Sequence, residues 1–186
     1  MAEAQNIRVA VDIGGTKSMA ALISAGAIIE KAQVPTAADG NPDGWLAAIA
    51  AATRDWNGRY GCVGIAATGL VEDGRWQALN TATLNIPGAY PLAERAASLF
   101  KAPVLALNDA QAAAWGEYRA AKEAVSSVVF LTISTGIGGG VVSNGRLMTG
   151  LAGHFGLTRG ASGGAGLPAA TSLTRCALDA NLVLPC

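Results

Sequence analysis

Two glycine-rich stretches hold the residues best suited to chemistry. The first is Asp12-Ile13-Gly14-Gly15-Thr16-Lys17 and the second is Ser134-Thr135-Gly136-Ile137-Gly138-Gly139-Gly140. Glycine lets backbone N–H groups approach an anion with no Cβ in the way. Thr16 adds a hydroxyl donor, Lys17 an ammonium, and Asp12 a carboxylate able to hold a hydrated Mg2+. The plain alternative for the first stretch is an ordinary Gly-Gly hairpin turn. In the second, four glycines fall within residues 136–140. That density costs backbone entropy, and a closely approaching ligand is one reason to keep it. Two such turns could clamp a polyphosphate from opposite sides. Neither is a Walker A loop or a dinucleotide fingerprint, because both lack the strand–loop–helix spacing.

Asn108-Asp109 follows the apolar run Val104–Leu107 and opens a helical pattern. Both residue types cap helices well, so capping alone would explain them. A strand's C-terminal end is also where α/β sheets bind ligands, and an Asp there could take a proton from an attacking hydroxyl. His154 is the only histidine. A lone histidine is usually structural, and with two distant cysteines it cannot build a metal site of any usual spacing. Cys62 reads as a buried strand residue; Cys62, Cys176 and Cys186 are too sparse for a disulfide framework. A reducing cytoplasm is the default for such a chain. The four tryptophans are scattered and read as core or lobe packing.

These residues need elements to position them. The sequence predicts strands over Ile7–Ile13, Lys17–Ser24 and Ala27–Val34, joined by Gly14-Gly15 and Ala25-Gly26. Asn41-Pro42 starts a helix that runs to about Asp55. A strand over Cys62–Ala67 ends at Thr68-Gly69, a helix covers Pro91–Phe100, and a strand covers Val104–Leu107. A helix then reaches Ala121, Ser127–Ser134 is a strand, and Val141–Ser143 pairs with Arg146–Met148 across an Asn144-Gly145 turn. The order is a mixed α/β layer structure with a second unit beginning near residue 125. Strand, Gly-rich turn, strand opens each part, which points to two related lobes facing one another.

Composition narrows the function classes. The chain has 186 residues, 13 Lys+Arg against 13 Asp+Glu, 14% charged residues, 51% hydrophobic residues and 24 glycines. A neutral chain with no basic run has no electrostatic reason to bind nucleic acid or an anionic membrane. Its apolarity argues against disorder, and no run approaches the roughly 18 apolar residues of a membrane span. The start, MAEAQNIRVAVDIGG, has no apolar segment of the signal-peptide kind.

Taken together, the motifs resemble the ROK family of sugar kinases. The resemblance rests on Asp12–Lys17 (DIGGTK), Ala66–Leu70 (AATGL), Asn85–Gly88 (NIPG), Asn108–Glu117 (NDAQAAAWGE), Thr132–Val142 (TISTGIGGGVV) and Leu151–Gly156 (LAGHFG). The run NDAQAAAW and His154 look most like the branch of bacterial N-acetylmannosamine kinases. The resemblance implies an actin-like ATPase (RNase H-like) fold with one complete lobe and the start of a second. Residues 1–121 would form the first lobe, residues 122–158 the start of the second, and 159–186 an atypical tail. It implies ATP and Mg2+ against Asp12, Gly14, Gly15, Thr16, Lys17, Thr135, Gly136, Gly138 and Gly139, with Asp12 holding Mg2+ through water. It implies a hexosamine near Gly69, Asn85, Asn108, Asp109 and His154, with Asp109 the base that deprotonates the 6-hydroxyl in amino-sugar breakdown. A homodimer is the family's common state.

Alternatives from other classes are a relative acting on glucose, fructose or N-acetylglucosamine, a sugar-binding repressor, and an inactive fragment. A repressor would need a DNA-binding helical domain ahead of the first strand, and that strand starts near residue 7. An inactive fragment would expose apolar surface. The family's histidine motif usually continues into a zinc loop of the form CxCGxxGC. Here Leu157 stands at the motif's second histidine position, and Arg159–Gly166 (RGASGGAG) has no cysteine, so no zinc is expected. The abrupt change suggests a shifted reading frame after residues 156–158. Sequencing the coding DNA should reveal an alternative frame that continues into a cysteine-rich loop; its absence would make the short form genuine.

Overall fold

The computed structural model describes residues 6–38, 41–78, 84, 86, 88–121, 125–133 and 137–149. Along the chain lie β1 (Ile7–Ile13), β2 (Lys17–Ser24), β3 (Ala27–Pro35), α1 (Pro42–Ala52) and a 3-10 turn (Arg54–Trp56). Then come β4 (Cys62–Ala67), β5 (Leu70–Glu72), β6 (Arg75–Gln77), α2 (Leu92–Phe100), β7 (Val104–Asn108), α3 (Asp109–Ala120), β8 (Ser127–Ile133), β9 (Ile137–Ser143) and β10 (Arg146–Leu147). The first sheet has the order β3-β2-β1-β4-β7. Its first three strands are an antiparallel meander, and β4 and β7 add in parallel beside β1. A second sheet, β10-β9-β8, is antiparallel throughout, and β5 pairs with β6.

Alternation along β1 and β4 sorts their side chains between two layers. Val9, Val11, Ile13, Val63, Ile65 and Ala67 join Trp45, Leu46 and Ile49 of α1 and Leu92, Ala96 and Phe100 of α2 in the main core. Burying each large aliphatic side chain there contributes on the order of 1.5–3 kcal/mol. On the opposite face, Ala66 and Leu107 meet Ala112 of α3. Cys62 is buried on β4, as expected.

Helix α1 starts as the sequence predicts, with Asn41 Oδ1 accepting from Gly44 N–H at 3.1 Å and Pro42 in the first turn. It stops at Ala52 rather than near Asp55, because the chain tightens into the 3-10 turn. The turns Ala25-Gly26 and Asn144-Gly145 have left-handed φ at both residues (48° and 81°, 49° and 73°), the geometry that suits the twist of a two-residue hairpin. Asp73-Gly74, at 48° and 73°, makes a third such turn between β5 and β6. Asp-Gly is a hairpin signal of the same kind as Asn144-Gly145, and it went unused among the expectations drawn from sequence.

Two turn expectations change. Ile13 pairs with Ser18, so the tip of the first turn is Gly15-Thr16 rather than Gly14-Gly15. Gly14 stands opposite Lys17, its N–H donating to the Lys17 carbonyl at 3.1 Å. In the second stretch, Gly138, Gly139 and Gly140 lie inside β9, which begins at Ile137 and not at Val141. A Cβ on Gly140 would come within 2.7 Å of the Ala110 carbonyl oxygen and 2.8 Å of Ala114 Cβ. One glycine is therefore required by the close approach of α3 to β9. The other face of β8 exposes Val129, Leu131 and Ile133 at 59%, 56% and 64%.

Gly140→Ala should lower stability by about 1–3 kcal/mol through overpacking against α3, read as a drop in the thermal unfolding midpoint. An unchanged midpoint would mean that α3 can shift off β9 without cost.

Candidate functional site

The site is built by register. Ile13 of β1 pairs with Ala67 of β4, and Ala67 pairs with Asn108 of β7. Three parallel strands thus end level, and the residues that follow them, Gly14, Thr68 and Asp109, share one edge of the sheet. That is the edge where α/β sheets bind ligands.

Asp109 is the first residue of α3 and lies half-buried at this edge. Thr68 Oγ1 donates to its Oδ2 at 2.9 Å, and the Ala110 N–H donates to its Oδ1 at 2.8 Å. Burial pushes its carboxyl above the usual value, while the hydrogen bonds from Thr68, the backbone and Asn108 pull the other way. Each carboxylate oxygen has two lone pairs, so each keeps room for a further donor such as a substrate hydroxyl. Such a group is fitted to act as a proton acceptor near neutral pH.

Asn108 does what its residue type allows at a helix start, and more. Its Oδ1 accepts from the N–H groups of Ala110 and Gln111 at 3.0 and 3.2 Å. Its Nδ2 donates to the Gly69 carbonyl at 2.7 Å. Capping and site-building are one arrangement here, not alternatives. Gly69 has φ +114°, and a Cβ would stand 2.6 Å from the Gln77 carbonyl oxygen, so only glycine fits.

The first turn occupies the same edge. Asp12 is half-buried between Met19 of β2 and Ala66 of β4. Thr16 and Lys17 are exposed, and the Thr36 N–H anchors the Thr16 carbonyl at 3.0 Å. A Cβ on Gly14 would come 3.0 Å from the Lys17 carbonyl oxygen, so a side chain there would need the facing backbone to give by a few tenths of an ångström. A single carboxylate beside it suits Mg2+, which keeps most of its waters. Among the described residues there is no group of three or more potential metal ligands. Asn85, Thr135, Gly136 and His154 lie outside the described residues, as does the segment on which the zinc expectation rests.

Thr68 and Trp76 are two site residues that sequence reasoning missed. Thr68 offered a signal, since a hydroxyl at the end of a strand beside that of Asp109 can reach its carboxylate. Trp76 offered none. It was read as core, and it is fully buried, but its indole N–H also donates to the Thr68 carbonyl at 2.9 Å.

The meander followed by two parallel strands, flanked by helices and leading into a second meander, defines one lobe and the start of another of the actin-like ATPase fold. Residues 8–165 match the model of the ROK family, and the chain belongs to that family. It is similar to the bifunctional enzyme NanE/NanK of Brucella melitensis, 49% identical over 147 residues that cover 79% of this chain and 28% of that protein. It is 46% identical over 153 residues to an N-acetylmannosamine kinase of Escherichia coli, covering 80% of this chain and 53% of the kinase. A ROK glucokinase of Streptomyces griseus, solved with glucose and AMPPNP, superposes with a TM-score of 0.67 at 34% identity, over 81% of this chain and 48% of that one. The chain thus spans about half the length of the single-function kinase relatives it matches. Among the described residues no helix is long and apolar enough to cross a membrane.

The raised carboxyl of Asp109 has a consequence for stability. A folded-state value above the unfolded one favours folding below the unfolded pKa and loses that benefit as pH rises through the folded value. Asp109→Asn removes the charge, keeps an oxygen for the Ala110 N–H, and needs the Thr68 hydroxyl to turn and accept from the amide. It should raise the unfolding midpoint at neutral pH, with the gain shrinking towards about pH 4. A gain that grew on acidification would contradict the burial of this carboxyl.

Proposed function

We propose that this chain carries the sugar-side machinery of an ATP-dependent hexosamine kinase whose substrate is N-acetylmannosamine, phosphorylated at the 6-hydroxyl. The observation that carries the reading is Asp109, a half-buried carboxylate at the C-terminal strand edge with its Oδ2 held by Thr68. On this reading residues 1–121 would form the lobe that holds it and residues 122–158 would open the nucleotide-side lobe.

In the reaction, the sugar's 6-hydroxyl oxygen attacks the γ-phosphorus of ATP, its proton passes to Asp109, and the bond to ADP breaks. Asn108, Gly69, Asn85 and His154 orient the sugar. Backbone N–H groups of the first turn, with Thr16 and Lys17, receive the phosphates, joined by Thr135, Gly136, Gly138 and Gly139 from the second stretch. Asp12 would hold Mg2+ through water, and the ion would supply charge neutralisation for the transferring group. Little covalent chemistry falls to the protein; positioning and charge stabilisation do the work. The choice of N-acetylmannosamine is supported by the name of the 46% identical Escherichia coli relative, an N-acetylmannosamine kinase. Glucose is the second reading, favoured by the superposition on a glucokinase.

A coupled ADP-release assay of the 186-residue chain with ATP, Mg2+ and each hexose tests this. N-acetylmannosamine should be turned over fastest, and Asp109→Ala should lower the rate by about 10²–10⁴-fold. Faster turnover of glucose would overturn the substrate, and intact turnover in Asp109→Ala would overturn the base.

A further inference from the structure

We infer that Thr68 and Trp76 form a positioning pair that sets the orientation and proton affinity of Asp109. The inference rests on Asp109 being the proton acceptor proposed above, and its geometry stands independently of which sugar is used.

The Thr68-Gly69 backbone is held at three points. The Thr68 N–H leans on the Ile13 carbonyl at 3.4 Å, the Thr68 carbonyl takes the Trp76 indole N–H at 2.9 Å, and the Gly69 carbonyl takes Asn108 Nδ2 at 2.7 Å. With its peptide groups fixed on both sides, Thr68 directs its hydroxyl at Asp109 Oδ2, 2.9 Å away. Trp76 can serve as the anchor because it is held on several sides. It is fully buried, its backbone exchanges two hydrogen bonds with Tyr90 at 2.7 and 2.8 Å, and its ring meets Trp45 edge-on at 6.0 Å. Trp45 is itself tied to the Ala37 carbonyl at 2.8 Å. The route from the α1 layer to the carboxylate is therefore Trp45, Trp76, Thr68, Asp109.

A hydroxyl donating to a carboxylate favours the charged form, and burial favours the neutral one. Thr68 is the largest of the groups working against burial. The others are the Ala110 N–H, the Asn108 side chain and the backbone of Asp109 itself, and among the described residues none of the groups acting on the carboxyl is charged. Asp12, the acidic residue on β1, lies two strands away in the sheet order. Without Thr68 the carboxyl would hold its proton to higher pH and turn more freely.

The test is a carbon-13 NMR titration of the Asp109 carboxyl in the full 186-residue chain, assigned with Asp109→Asn. Thr68→Val should move its midpoint up by about one to two pH units, the size of one hydrogen bond to a charged group. Thr68→Ser should titrate like the wild type. Trp76→Phe keeps an aromatic ring but loses the N–H, and should shift the midpoint upward by less. A Thr68→Val midpoint equal to the wild type, or a Thr68→Ser midpoint equal to Thr68→Val, overturns the pairing. The readout needs no turnover. A shift as expected with no phosphorylation of any hexose would leave the pair standing and remove the kinase reading.

Discussion

Everything at the site depends on three parallel strands ending level. Because Ile13, Ala67 and Asn108 are cross-paired, the first residue beyond each strand is delivered to the same edge. A slip of one residue in β7 would turn Asp109 to the other side of its strand and away from Thr68. The register is secured by alternating burial, with Val and Ile facing α1 and α2 and Ala66 and Leu107 facing α3. The hydrophobic layering that folds the lobe is thus also what aims the carboxylate.

Local chemistry then refines what register delivers. Asn108 caps α3 and clamps Gly69, Gly69 takes a backbone shape closed to other residues, and Trp76 closes the group by holding Thr68. Polar atoms at this edge are matched with partners, which suits a half-buried acid that must stay in one orientation. The cost of burying its charge is offset in part by donors rather than by a cation.

Much of this was legible in the sequence because it is local. Ile7–Ile13, Lys17–Ser24 and Cys62–Ala67 are apolar runs cut by turn residues, and their bounds are read directly. Asn41-Pro42 announces a helix, and Asn108-Asp109 announces both a helix and an acid at a strand end. What was not legible depends on neighbours distant in the chain. Gly140 reads as part of a phosphate loop, yet its lack of a side chain is demanded by Ala110 and Ala114 of α3. Trp76 reads as a core aromatic, and only the pairing with Tyr90 and the fold of β5 and β6 bring its indole to Thr68. The family resemblance supplied the sugar and the nucleotide, which neither composition nor spacing contains.

The central claim is that Asp109 meets the hydroxyl that attacks phosphate. Its most direct test is a structure of the 186-residue chain bound to N-acetylmannosamine and a non-hydrolysable ATP analogue. The account predicts the sugar's O6 within hydrogen-bonding distance of an Asp109 carboxylate oxygen, about 2.6–3.2 Å, with the γ-phosphate on the opposite side of O6. A sugar bound with O6 out of reach of Asp109, or bound away from the Thr68–Asp109 edge, would contradict it.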